Sequence, residues 1–132
     1  MRMTRLDMLR RRLNIAPADD NEGISMMMFE TKARVPTANG SRYLQQLCKH
    51  WSHNLKVEFT PEAGTVVFPK DARGADWPGD ATLTLKAEQD TLECKLEASA
   101  AAQREALKSV VSGHLDRFAF REAPLKFDWQ DA

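Results

Sequence analysis

The chain of 132 residues contains no long apolar run, and nothing in it approaches the roughly 18–20 consecutive apolar residues that span a bilayer. A membrane-spanning helix is thereby excluded. There is no excess of either charge, with 19 Lys plus Arg against 19 Asp plus Glu. A general nucleic-acid binder needs a basic surplus to neutralise phosphates, so the balance argues against one. Cysteine is scarce: Cys48 and Cys94 are the only two, and neither belongs to a Cys-x-x-Cys pair. They are expected as reduced, buried thiols. Gly-x-Ser-x-Gly elbows and glycine-rich phosphate loops are also absent, which removes two common catalytic frameworks. The remaining composition, 42% apolar and 29% charged, is that of an ordinary globular chain.

The charge balance hides an asymmetry. Arg2, Arg5, Arg10, Arg11 and Arg12 face only Asp7 among the first 13 residues, and Asp19, Asp20 and Glu22 follow. Leu6, Leu9 and Leu13 share one face of a notional helix, as in a surface-binding arm. Pro17 and the polar stretch after it then break the pattern, and Met26-Met27-Met28 offers an alternative start. Residues 1–27 are therefore expected to be a flexible, disordered extension, and 28–132 a single α+β domain. No apolar stretch of secretory type follows the arginines, which predicts a cytoplasmic location.

From Met28 onward the chain alternates between two periods. Thr31, Ala33 and Val35 predict a first strand that Pro36 ends. Leu44, Leu47, Cys48 and Trp51 follow the i, i+3, i+4, i+7 pattern of a helix with one buried face, capped by Asn39 or Ser41. Val57 and Phe59 predict a strand, Pro61 to Gly64 a turn, and Thr65 to Phe68 the returning partner. Pro69 to Asp80 holds two Pro, two Gly and three Asp and reads as a long surface loop. Leu83, Leu85 and Ala87, then Leu92, Cys94, Leu96 and Ala98, alternate with polar residues, which describes a hairpin with one oily and one wet face. Ala100 to Phe118 reads as a helix capped by Ser99, with Leu107, Val110, Val111, His114 and Phe118 on its buried face. Leu125, Phe127 and Trp129 predict a last strand.

The resulting order is β-α-β-β-β-β-α-β. An antiparallel sheet with one oily face must cover it, and two amphipathic helices are the elements available. The expected fold class is α+β: a two-layer sandwich with both helices on one face of the sheet. This order looks like the TATA-binding-protein-like arrangement, an analogy of fold that carries no function.

Two segments resemble a known family: Asn39-Gly-Ser-Arg-Tyr-Leu-Gln-Gln-Leu-Cys-Lys-His-Trp-Ser-His53, and His114-Leu-Asp-Arg-Phe-Ala-Phe-Arg-Glu122 with the Leu125-Lys-Phe-Asp-Trp129 stretch after it. They are similar to the paired signature of a family of small uncharacterised bacterial proteins, a domain of unknown function, over about residues 29–130. That domain also occurs joined to, or encoded near, siderophore-interacting proteins of the ferric-reductase type. The resemblance implies a link to iron acquisition and such a protein as partner. The arginine-rich start and the long loop with Trp77 depart from the family's pattern.

The three histidines are the constellation that bears on chemistry. On a continuous helix His50 and His53 are neighbours three residues apart, and His114 lies on the second helix. Neutral imidazoles from adjacent helices can ligate zinc, iron or copper. The plain reading stands beside this: a core histidine at 114 and exposed histidines at 50 and 53. Cys48 sits about 160° around the helix from His50 and does not complete a tetrahedral set. Secondary candidates for ligand contact are Arg117 and Arg121, a pair near the end of the second helix, and Trp77 in a polar loop. The arginines also suit a helix C-terminus without any function, and Trp77 equally fits a loop tucked onto its own domain.

Three functions remain. The first is a non-catalytic binding or accessory module tied to iron handling, with His50, His53 and His114 lining the site. The second is a homodimer formed through the exposed sheet face or an edge strand. The third is a metal-dependent enzyme, for which no catalytic motif is present.

Overall fold

The computed structural model describes residues 28–132; the arginine-rich opening, and with it the expectation of a disordered extension over 1–27, lies outside the described residues. The strands are β1 (Phe29–Pro36), β2 (Lys56–Phe59), β3 (Ala63–Phe68), β4 (Ala81–Ala87), β5 (Thr91–Ala98) and β6 (Gln130–Asp131), with α1 (Gly40–Trp51) after β1 and α2 (Ala101–Phe118) after β5. They form one open sheet in the order β2-β3-β4-β5-β1-β6, antiparallel at every pairing. The architecture is the α+β sandwich that the alternating periods describe.

Strand alternation decides which face is covered. In β5, Leu92, Cys94, Leu96 and Ala98 are buried, while Thr91, Glu93, Lys95 and Glu97 point to the half-open side. In β1, Thr31, Ala33 and Val35 are buried, and Lys32 and Arg34 are exposed. Leu44, Leu47 and Cys48 of α1, with Val111 and Leu115 of α2, join the same core as Val66, Leu83, Leu85 and Leu96. Each fully buried leucine contributes about 2 kcal/mol through lost apolar hydration.

Helix α1 sits close to the sheet because Gly64 stands beneath it. A β-carbon there would lie 2.8 Å from Cys48 Sγ and 3.2 Å from Phe59 Cβ. A missing side chain on β3 thus sets the depth at which α1, and the aromatic turn at its end, meets the strands.

Three local expectations are corrected by tertiary packing. Neither helix carries a side-chain cap: Asn39 Nδ2 donates instead to Glu122 (2.8 Å), and Ser99 joins the Gly79–Gln103 cluster. The buried face of α2 is Gln103, Val111 and Leu115, with Leu107 and Phe118 half-buried and Val110 37% exposed. The C-terminal strand shrinks to Gln130–Asp131, paired with Lys32 and Thr31. Leu125 is buried and Phe127 and Trp129 pack against the core, but outside the ladder. The Leu125 amide donates to the Asp116 carboxylate on α2 (2.8 Å), which ties this segment to the helix.

Candidate functional site

Helix α1 ends at Trp51, and this last turn carries two ring systems. Trp51 continues the buried stripe, while His50, one residue earlier, projects from the exposed side. The His50 ring meets His114 of α2 with centroids 5.4 Å apart and Phe118 at 5.9 Å. Trp51 meets His114 at 5.0 Å and Phe68, the last residue of β3, at 5.2 Å. Three elements distant in sequence, α1, β3 and α2, are thereby joined by aromatic contact.

The tautomer of His114 follows from its partner. Its Nδ1 lies 2.8 Å from the Val110 carbonyl oxygen. A carbonyl can only accept, so Nδ1 carries the proton, and Nε2 remains as the free ring nitrogen.

His50, Trp51, Phe68 and His114 line one end of a groove of about 500 Å³ running beside α2. Ala106, Leu107, Val110 and His114 form its helical side, a stripe rotated away from the core face, and Gln103 of that face closes it near the start of the helix. The opposite side is Trp51, Asn54 and Leu55 at the end of α1, then Phe68 and Pro69, then Asp71, Ala72, Arg73 and Trp77 of the loop. Its walls are thus largely apolar and aromatic, with polar groups at scattered points.

The loop of residues 69–80 is a fastened element. The Lys70 amide donates to Asp80 Oδ1 (2.8 Å), and the Trp77 amide to the Lys70 carbonyl (3.0 Å). At its base Gln103, 1% exposed, accepts from the Ser99 amide (2.7 Å) and donates to the Gly79 carbonyl (3.1 Å). Gln103 therefore satisfies its amide while riveting the loop to the first turn of α2. Trp77 folds back onto its own domain as a half-buried wall of the groove.

The predicted site residues separate accordingly. His50, His114 and Trp77 come together. His53 does not join them: α1 stops at Trp51, and His53 is an exposed turn residue outside the groove lining. Among the described residues no group of three or more His, Cys, Asp or Glu is placed to hold a metal ion, so the three-histidine chelate is not assembled. Two imidazoles alone leave half of a tetrahedral coordination shell unfilled. Arg117 is exposed and lines neither this groove nor the smaller hollow nearby. Arg121 lies over the Phe120 ring (5.6 Å) and borders that separate hollow, about 230 Å³, with Arg42, Tyr43 and Gln46. Burial pushes the Cys48 thiol up to about 11; burial, helped by the charge of Glu93, pushes that of Cys94 up to about 12. Both stay protonated at neutral pH and supply no thiolate.

The sequence pattern did not disclose Arg73, Phe68, Leu55 and Gln103 as lining residues. The one available signal was Gly74, whose φ of +78° marks a left-handed turn immediately after Arg73.

The model of a family described as uncharacterized proteins conserved in bacteria, DUF2218, matches residues 32–130. The chain belongs to the DUF2218 family. A solved structure titled "NMR structure of PA4090 from Pseudomonas aeruginosa" is similar to this DUF2218 chain, with 31% sequence identity and a TM-score of 0.60. The match covers 77% of this chain and 95% of that one. Among curated proteins nothing matches. For the DUF2218 chain these findings establish family and fold. Among the described residues no helix is long and apolar enough to cross a membrane.

Proposed function

We propose that this chain is a non-catalytic binding module of the cytoplasm that takes a small organic molecule into the groove between α2, the end of α1 and the 69–80 loop. The observation that carries this reading is the groove itself. At about 500 Å³, with aromatic walls and a few polar points, it has the size and character of a small-molecule site. No serine, threonine, cysteine or lysine is among its lining residues.

Iron handling, which the family resemblance implies, enters in one form. Iron reaches the groove inside an organic chelate that already fills its coordination shell, and the module acts beside a siderophore-interacting protein. The lack of a three-donor metal group among the described residues supports the chelate over the bare ion. The test is a thermal-melt and NMR titration with iron(III)-2,3-dihydroxybenzoate and, separately, with free zinc. A chelate present at about 100 times its dissociation constant should raise stability by roughly 2.7 kcal/mol. Ala106→Trp, which fills the groove from an exposed helix position, should abolish the effect. No response to the chelate removes the iron reading; a response unchanged in Ala106→Trp places binding elsewhere.

A second reading, a homodimer through the wet sheet face, is favoured by one observation. Glu30 stands directly opposite Glu97, and Lys32 opposite Lys95. Like charges so placed cost stability, and a second copy turned about a two-fold axis would set an acidic row over a basic one. Light scattering at low salt decides it: a monomer at high concentration removes the idea.

A further inference from the structure

Arg73 is the only non-glycine residue with a positive φ among the described residues (φ 57°, ψ 34°). An L-residue with a long side chain enters the left-handed region at a cost, and arginine lacks the short polar side chain that lets Asn or Asp recover some of it locally. The conformation persists because the loop is fastened on both sides, at Lys70–Asp80, Lys70–Trp77 and Gly79–Gln103. Sustained strain of this kind gathers where a side chain must be held in a particular place. Here it holds Arg73, an exposed residue, on the groove lining.

Among the described residues no carboxylate pairs with the Arg73 guanidinium, although Asp71, two residues earlier, shares the lining. Asp71 is the single carboxylate in the lining, and Arg73 is its permanent cation. Trp51, Phe68 and Trp77 line the same groove.

We propose that the groove is selective for planar aromatic carboxylates, with the ring held among Trp51, Phe68 and Trp77 and the carboxylate received by Arg73. The inference rests on the reading of the groove as a small-molecule site and adds its ligand class. A guanidinium fork suits a carboxylate because two parallel N–H donors meet two oxygens. Aromatic walls supply the apolar contact that a small carboxylate alone would lack.

The test is a calorimetric and NMR titration of the full chain with 1-naphthoate and with its neutral analogue 1-naphthylmethanol. Naphthoate should bind at least tenfold more tightly, with shifts at the Trp51 and Trp77 indole N–H groups. Arg73→Gln should erase that preference while leaving naphthylmethanol affinity unchanged. Arg73→Lys should keep a preference of the same sign but smaller, since an ammonium cannot present the fork. Equal affinity for both probes in the native chain, or a preference that survives Arg73→Gln, overturns the ligand class and leaves the groove as a binding site. Failure of both probes to bind, or binding unaffected by Ala106→Trp, overturns the groove reading along with it.

Discussion

Gly64 gives the sharpest test of how the site is positioned. Gly64→Ala would place a β-carbon 2.8 Å from Cys48 Sγ and 3.2 Å from Phe59 Cβ, against ordinary carbon contacts near 3.5–4.0 Å. Cys48 is fully buried between helix and sheet, so its sulfur has little room to swing aside, and α1 must lift. Overpacking of this kind costs about 1–3 kcal/mol. A central 2 kcal/mol corresponds to a fall in melting temperature of roughly 10 °C for a fold of this size. Cys48→Ala alone removes the sulfur and leaves a small void, costing about 1 kcal/mol. In the double variant the new methyl occupies the space the sulfur vacated. Its cost should fall short of the sum of the two by about 1–2 kcal/mol, a coupling that a double-mutant cycle measures directly. Urea unfolding followed by tryptophan fluorescence supplies the three free energies, with Trp51 in the core as reporter. Because α1 carries His50 and Trp51 into the groove, Gly64→Ala should also disturb the indole and imidazole signals of that site. Additive costs, or a Gly64→Ala chain as stable as the native one, would refute the claim that this glycine sets the seat of α1.

Three further outcomes follow from named contacts. Leu115→Ala, at a fully buried position on α2, should destabilise by about 2–5 kcal/mol, whereas Val110→Ala should cost well under 1 kcal/mol because Val110 faces the groove; denaturant midpoints compare them. Hydrogen bonds from Tyr43, Asn39 and Thr37 hold the Glu122 carboxyl below its ordinary value near 4.5. A depressed carboxyl stabilises the fold above its unfolded pKa and loses that contribution as pH falls through the folded one. Glu122→Gln should therefore flatten the acid limb of a pH–stability profile below about pH 4.5 and lower stability at pH 7. Arg73→Gly should raise stability by up to about 1 kcal/mol, by relieving the left-handed backbone, while weakening naphthoate binding; a loss of stability would show that the conformation carries no strain.

Much of the scaffold is legible along the chain because a sheet with one wet side imposes a period of two. Leu92, Cys94, Leu96 and Ala98 announce their face without reference to any other element. The stripe of Leu44, Leu47, Cys48 and Trp51 does the same for α1, which has a single apolar surround. Helix α2 is harder to read, since it has core on one side and a groove on the other. Apolar residues suit both, so Leu107, Val110, Val111 and His114 look like one face when they divide between two. The histidine spacing misleads for a related reason: the i, i+3 relation of His50 and His53 holds only while the helix continues, and it ends between them.

The identity of both helices and of the first five strands, the oily face of the sheet and the burial of both thiols were thus settled by local periodicity, which depends only on residue spacing and side-chain polarity; the last strand was not. The meeting of His50 with His114, the folding of Trp77 onto its own domain and the placing of Arg73 beside a groove were decided by tertiary structure alone. Each needs segments dozens of residues apart to be fixed together, by Gln103 at the loop base and by the closeness that Gly64 permits, and no local period encodes such a distance.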